Sequence, residues 1–284
     1  MLSFFASDLH GSEERYEKLF SMVASERPVA VFLGGDLLPA AGLASSGAGS
    51  GDFVDDFLVR EFEGIRESLG TAYPSVFLIL GNDDPRSEEA AVIAAAERGL
   101  WEYVHDRRAS LGGRPVYGYA YVPPTPFLLK DWERYDVSRY VDPGAVSPEE
   151  GWRTVPVPER ERRLSTILDD LARLAGDEDL SDAIFLFHSP PYGTKLDRAA
   201  LDGRSVDHAP LDVHVGSIAI HRFIEERQPL LTLHGHVHES AQLTGSWRDA
   251  IGSTVMLGGA HHGPELALVR FDPDDPAKAE RELL

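Results

Sequence analysis

Along its first hundred residues the chain alternates between two hydrophobic periods. Leu2–Ser7 is a short apolar run; after Gly11-Ser12, the residues Tyr16, Leu19, Phe20 and Val23 recur on one helical face. Ser12, followed by two acidic residues, is placed to cap that helix. Val29–Leu33 is a second buried run, closed by Gly34-Gly35, and a helix is expected over Asp52–Leu69 with Phe53, Phe57, Phe62 and Ile65 inward. Ser75–Leu80 is a third run, after which Pro85-Arg86-Ser87 opens a helix through Ala96. Near-continuous apolar strands separated by amphipathic helices predict parallel βαβ units with right-handed crossovers.

The middle of the chain loses this rhythm. Arg114–Val122 reads as a strand, but the stretch at about 122–160 is rich in proline and aromatics without a sustained period, the mark of a functional cap rather than a connector. Residues 38–51, nearly all small, predict a flexible loop directly after the second strand. Order returns with a helix over Pro158–Leu174, a strand Ala183–Phe187, a helix near Ser217–Glu226 and a strand Leu230–Leu233. Ser253–Leu257 and Glu265–Phe271 read as further strands, and no internal repeat is visible. The expectation is a single α/β domain over residues 1–284.

Composition narrows the function. With 43% apolar residues the chain can bury a sizeable core, and its longest apolar runs, such as Val76–Leu80, fall far short of the roughly 20 residues of a membrane helix. Forty-seven acidic residues against 27 basic give a net charge of −20, which opposes binding to long nucleic acid or an anionic membrane. The absence of cysteine excludes disulfides, thiolate metal sites and a cysteine nucleophile. The N-terminal residues have neither a basic region nor a long apolar region, so no signal peptide is read and a cytoplasmic location is expected.

Candidate chemistry sits where the apolar runs end. The first gives Asp8-Leu9-His10, the second Gly35-Asp36, the third Gly81-Asn82-Asp83-Asp84, a later one His188-Ser189-Pro190-Pro191, and the last His234-Gly235-His236-Val237-His238. Each motif alone is ordinary: Gly-Gly-Asp makes turns, and Asn-Asp-Asp-Pro can simply cap a helix. Alternate histidines on an extended segment would point the same way. Together the five ends can converge on one cleft, because parallel sheets bind ligands at the carboxyl ends of their strands.

The series Asp8-x-His10, Gly35-Asp36, Gly81-Asn82-x-Asp84, His188 and Gly235-His236-x-His238 resembles the calcineurin-like metallophosphoesterases. The stretches His188–Asp197 and His214–Ser240 look most like the Icc-related branch. The resemblance implies a two-sheet αββα sandwich with a dinuclear metal site at the carboxyl ends of the strands. It implies that Asp8, His10 and His238 hold one divalent ion and Asn82, His188 and His236 the other, with Asp36 between them. Asp36, Asn82, Asp83 and His236 would then form the catalytic group.

The ligand types suit manganese, favoured here, or iron, zinc or nickel. Two such ions polarise phosphoryl oxygens and lower the pKa of a bridging water, whose hydroxide attacks phosphorus in line. One departure stands out, because Asp83 occupies the place where most of the family has histidine. An ionised aspartate there is a poor proton donor and repels the dianion of a monoester more than the monoanion of a diester. The expectation is a small phosphodiester as substrate, with a nucleotide pyrophosphohydrolase or a phosphatase as alternative. A non-catalytic scaffold is opposed by the complete ligand set. Asp84, His208, His214 and His261 are candidates for outer contacts to the ligands or substrate, while Lys195 and Arg198 read as solvated surface charges.

Overall fold

A computed structural model of the protein describes residues 1–39 and 52–284. From residue 40 onward, the loop expected at 38–51 lies outside the described residues.

The first half follows the hydrophobic pattern closely. Strand β1 (Ser3–Ala6) leads into helix α1 (Glu13–Glu26), whose N-cap Ser12 accepts from the Arg15 amide; Tyr16, Leu19, Phe20 and Val23 are buried. Strand β2 (Ala30–Gly34) and strand β3 (Ser75–Ile79) follow in parallel register, Phe5 opposite Phe32 and Phe32 opposite Phe77. The helix expected over Asp52–Leu69 is two pieces, a π-helical stretch Phe53–Val59 and helix α2 (Arg60–Leu69). The Asp52 side chain caps the first piece, and the wider turn stacks Phe53 on Phe57 at 5.0 Å with both rings against Tyr16. Beyond β3, a 3-10 turn (Arg86–Glu88) precedes helix α3 (Glu89–Glu97) and the short strand β4 (Glu102–Tyr103).

The chain then enters a second sheet through a hairpin of β5 (Arg107–Leu111) and β6 (Arg114–Tyr119), and leaves regular structure until helix α4 (Glu159–Leu164). The single helix expected over Pro158–Leu174 is broken at Ser165-Thr166, because extended Thr166 bridges to Tyr135 and caps a new helix, α5 (Ile167–Ala175). Strand β7 (Ile184–Phe187), the small hairpin β8 (Ser205–Val206) and β9 (Ala209–Pro210), helix α6 (Ile218–Arg227) and strand β10 (Leu231–His234) come next. Helix α7 (Ser240–Thr244) and strands β11 (Arg248–Ile251), β12 (Thr254–Gly258), β13 (Ala267–Phe271) and β14 (Glu280–Leu283) complete the order.

Among the described residues the long strands form two six-stranded sheets, ordered β14-β13-β1-β2-β3-β4 and β11-β12-β10-β7-β6-β5. Each has a parallel run, β1 to β4 in one and β6, β7, β10, β12 in the other, flanked by antiparallel strands on one side in the first sheet and on both sides in the second. The sheets lie face to face. Gly118 of β6 marks one close approach: a Cβ there would sit 2.8 Å from Ile79 Cγ2 of the opposite sheet. Stacked pairs such as Phe32 on Phe77 and Tyr117 on Phe185 fill the core, each fully buried ring contributing about 1.5–3 kcal/mol. This is the two-sheet α/β sandwich that the resemblance implied. No helix among the described residues is long and apolar enough to cross a membrane.

Candidate metal centre

The parallel centres of both sheets end at one cleft. The loops after β1, β2 and β3 bring Asp8, His10, Asp36 and Asn82 from one sheet; those after β7 and β10 bring His188, His236 and His238 from the other. Apolar strands hold the backbone rigid to the last residue, after which the chain turns sharply. Asp8, His10, Asp36 and His236 all have positive φ (60°, 47°, 51° and 76°), a region non-glycine residues rarely occupy. Such strain persists only where surrounding structure enforces it, and it clusters at functional sites.

The side chains fall into two groups that share one carboxylate. Ligand atoms of Asp8, His10, Asp36 and His238 lie within 4.8 Å of one another, and so do those of Asp36, His188 and His236. His10 Nε2 is 3.1 Å from His238 Nε2, which is 3.2 Å from Asp8 Oδ1. His188 Nε2 is 3.0 Å from Asn82 Oδ1 and 3.3 Å from Asp36 Oδ2. Donors about 2.1 Å from a common cation sit about 3.0 Å apart around an octahedron and about 3.4 Å apart around a tetrahedron. The observed separations fit both groups to divalent ions.

Neighbouring groups fix how each ligand presents itself. The Gly34 carbonyl accepts from His188 Nδ1 at 2.7 Å, leaving Nε2 to face Asp36 and Asn82. The Asn82 amide donates to Asp83 Oδ1 at 3.0 Å, which turns its oxygen toward His188. Asp83 is itself held by its amide, which donates to Asp36 Oδ1 at 2.8 Å. The His236 amide donates to Asp8 Oδ1 at 3.0 Å. Close approach demands glycine twice over: a Cβ on Gly35 would lie 2.6 Å from His188 Nδ1, and one on Gly235 2.8 Å from Asp8 Oδ2.

Electrostatics follow from burying four carboxylates among four histidines. Burial opposes charge on His188, but the Asp36 carboxylate raises it to about 10, so the metal-free site holds an imidazolium there. His236 is driven down to about 3 by burial and by His188, and its ring is neutral. Burial works to raise Asp8, yet hydrogen bonding and charge from His238 hold it well below the ordinary carboxylate range. Burial and Asp36 push Asp83 up to about 6. Asp84 is pushed up to about 8 by burial and Asp36, against hydrogen bonds from the amides of Leu37, Leu38 and Gly81. Asp84 thus ties the second and third loops together.

The other candidate histidines are placed differently. His234, fully buried, stacks on Phe187 and bonds Ser189 O and Thr232 Oγ1 in the core. The expectation of alternate histidines along an extended segment is therefore corrected: β10 ends at His234, and the positive φ of His236 turns the chain so that His236 and His238 enter the cleft. His208 is at the exposed tip of the β8–β9 hairpin, and His214 Nδ1 bonds buried Asp197 at 2.8 Å. Neither joins either ligand group. His261 bonds Glu265 and, with His262, lines a cavity of about 430 Å³ that His10 and His238 also border. Lys195 and Arg198 face Asp249 and Asp202.

Periodicity gave no signal for two arginines around this cleft. Arg15 of α1 donates to the carbonyls of Asp8, Gly263 and Pro264, clamping the cavity wall to the first ligand loop. Arg281 of β14 donates to the Ala260 carbonyl, and burial pushes its guanidinium down to about 10.

Comparison with known proteins agrees with this geometry. The model of a family described as calcineurin-like phosphoesterase matches residues 1–240. One crystal structure superposes with a TM-score of 0.60 at 16% identity, covering 99% of this chain and 98% of that one. The crystal structure of TT1561 of Thermus thermophilus does so with a TM-score of 0.54 at 18% identity, over 99% of this chain and 98% of its own. Both show the fold alone. No curated protein matches the sequence.

Proposed function

The chain belongs to the calcineurin-like phosphoesterase family, and from that premise we propose that it is a metal-dependent hydrolase of a small phosphodiester. The observation that carries the metal-dependent reading is the pair of ligand groups sharing Asp36. Two divalent ions held there would polarise phosphoryl oxygens and lower the pKa of a water. Imidazole, carboxylate and amide oxygen suit manganese, iron, zinc or nickel, and manganese is the reading taken to the test.

The preference for diesters rests on Asp83. Its carboxylate lies 3.9 Å from His10 Nδ1 at the edge of the cleft, and at neutral pH it is mostly ionised. It orients Asn82, and two cations beside it would favour its ionised form, which makes it a poor proton donor to a departing alkoxide. Its charge also weighs more against a dianionic monoester than a monoanionic diester. The cavity bordered by His10, His238, His261 and His262 leaves room for a substituent beyond the phosphorus. With a net charge of −20, the substrate is read as a small phosphorylated molecule rather than long nucleic acid. A phosphoanhydride such as a nucleotide pyrophosphate is the second reading, since its leaving group also needs no acid.

The test compares matched generic diester, monoester and anhydride substrates after metal stripping and return of Mn²⁺. Diester turnover exceeding the others supports the proposal, and equal or greater monoester turnover sinks the part played by Asp83. Asp83→His is expected to move the monoester-to-diester ratio upward by about tenfold, or about 1.4 kcal/mol of relative barrier. An unchanged ratio removes Asp83 as its determinant.

A further inference from the structure

A second polar centre lies behind the third ligand loop, where the irregular segment meets α4. Arg86, Tyr121, Arg134, Arg153, Arg162 and Ser165 line a small niche there. The niche is tied to the metal loop by two hydrogen bonds: the Arg86 amide donates to Asp131, and Trp132 Nε1 donates to the Asp84 carbonyl.

Asp131, Glu133 and Glu161 line the niche as well, and each already accepts hydrogen bonds. Asp131 accepts from the Arg86 and Thr154 amides and the Thr154 hydroxyl. Glu133 accepts from Lys130 and from Thr125, and Glu161 from Arg134. Two of the arginines are likewise engaged: Arg86 with Glu89, and Arg134 with Asp170 and Glu161.

The remaining donors are not. Arg153 donates to one carbonyl, that of Pro148, and Arg162 Nε is buried with no hydrogen-bond partner among the described residues. Burial and the charge of Arg162 hold Arg153 below its ordinary value, although Asp131 and Glu133 act to raise it. Tyr121 Oη accepts from Arg86 Nη1 at 3.2 Å and Arg134 Nη2 at 3.0 Å, so its own proton is directed elsewhere. Unengaged donors around engaged acceptors are the complement of an oxyanion. The enclosed space is about 10 Å³, room for one water-sized body. One oxygen can enter while the rest of a tetrahedral group stays at the open mouth.

We propose that this niche binds a phosphoryl oxyanion, either inorganic phosphate or the terminal phosphate of a small monoester, through Arg153, Arg162 and the Tyr121 hydroxyl, separately from the metal centre. The test uses the full chain stripped of divalent ions, titrated with inorganic phosphate at constant ionic strength and read by calorimetry and thermal melting. Saturable binding with a raised Tm is expected. Arg162→Gln and Arg153→Gln should each weaken it at least tenfold, with little change of Tm in phosphate-free buffer. Methyl phosphate binding as tightly as phosphate assigns the niche to a terminal phosphoryl group, and markedly weaker binding assigns it to the free ion. The proposal is overturned by absence of saturable binding, by binding that both variants leave intact, or by chloride binding equally well. Should the variants fail to fold, phosphate must still shield Arg162 of the unmodified chain from phenylglyoxal, and no shielding overturns it.

Discussion

The ligand loops and the irregular segment from Ala120 to Pro158 are both built of non-repeating backbone, yet they use polar groups in opposite ways. In the loops, Asp8, His10, Asp36, His188, His236 and His238 are pressed together at hydrogen-bonding distances, and several sit in strained backbone. His10 Nε2 and His238 Nε2 face each other there at 3.1 Å. In the core of the segment, charges are matched: Lys130 with Glu133 at 2.6 Å, both 0% exposed, and Asp136 with the Ser217 hydroxyl and the amides that start α6. Convergent groups that satisfy each other poorly await a ligand. Groups that satisfy each other well hold a shape.

That contrast is most severely tested at Asp36. Asp36→Asn removes the carboxylate shared by both groups and is expected to lower turnover by about ten-thousand-fold, some 5–6 kcal/mol of barrier, with bound metal falling in parallel. Turnover and metal content measured on the same preparation check it; retained activity would refute the shared-ligand reading. Next in size is Lys130→Met, which strands Glu133 in the interior and should cost about 3–5 kcal/mol in urea denaturation. Adding Glu133→Leu should recover most of that loss, as no paired replacement could at the metal centre.

A third expectation concerns pH. His188 is raised from 6.5 to about 10 in the metal-free fold, so its stabilising contribution is complete below pH 6.5 and is lost as pH climbs to 10. The Tm of chelated protein should fall across that window, and saturating Mn²⁺ should flatten the decline, because metal takes the place of the proton. A Tm that rises from pH 7 to 10 without metal would contradict the Asp36–His188 pairing. The smallest effect is expected from His214→Ala. Asp197 keeps its bonds from the Gly193, Thr194 and Gly216 amides, so stability should drop by only about 1 kcal/mol with turnover unchanged.

The sequence made the site more legible than the scaffold around it. Apolar runs located β1, β2, β3, β7 and β10, and the short motifs at their ends carry the candidate ligands, so reading either exposed the other. The Ser12 cap and the buried face of α1 were equally local. Elements set by distant partners were not readable. The break at Ser165-Thr166 depends on Tyr135, and the irregular segment depends on pairs such as Asp131 with Thr154. Edge strands β5, β11 and β14 mix exposed and half-buried residues and lack a strong apolar run. His234 misled for a related reason, since periodicity cannot show that a strand stops and the chain reverses within two residues.

Because the ligands come from both sheets, the centre has a history as well as a shape. During synthesis Asp8, His10, Asp36 and Asn82 emerge early, while His188, His236 and His238 follow only after the long middle of the chain. Strand β1, which aims the first two ligands, must also wait for β13, its antiparallel neighbour, with Phe5 opposite Val269. Until His188 emerges, the chain offers this centre only oxygens and the His10 imidazole. The remaining imidazoles arrive with the second sheet, so the full set of candidate ligands exists only once both sheets have formed.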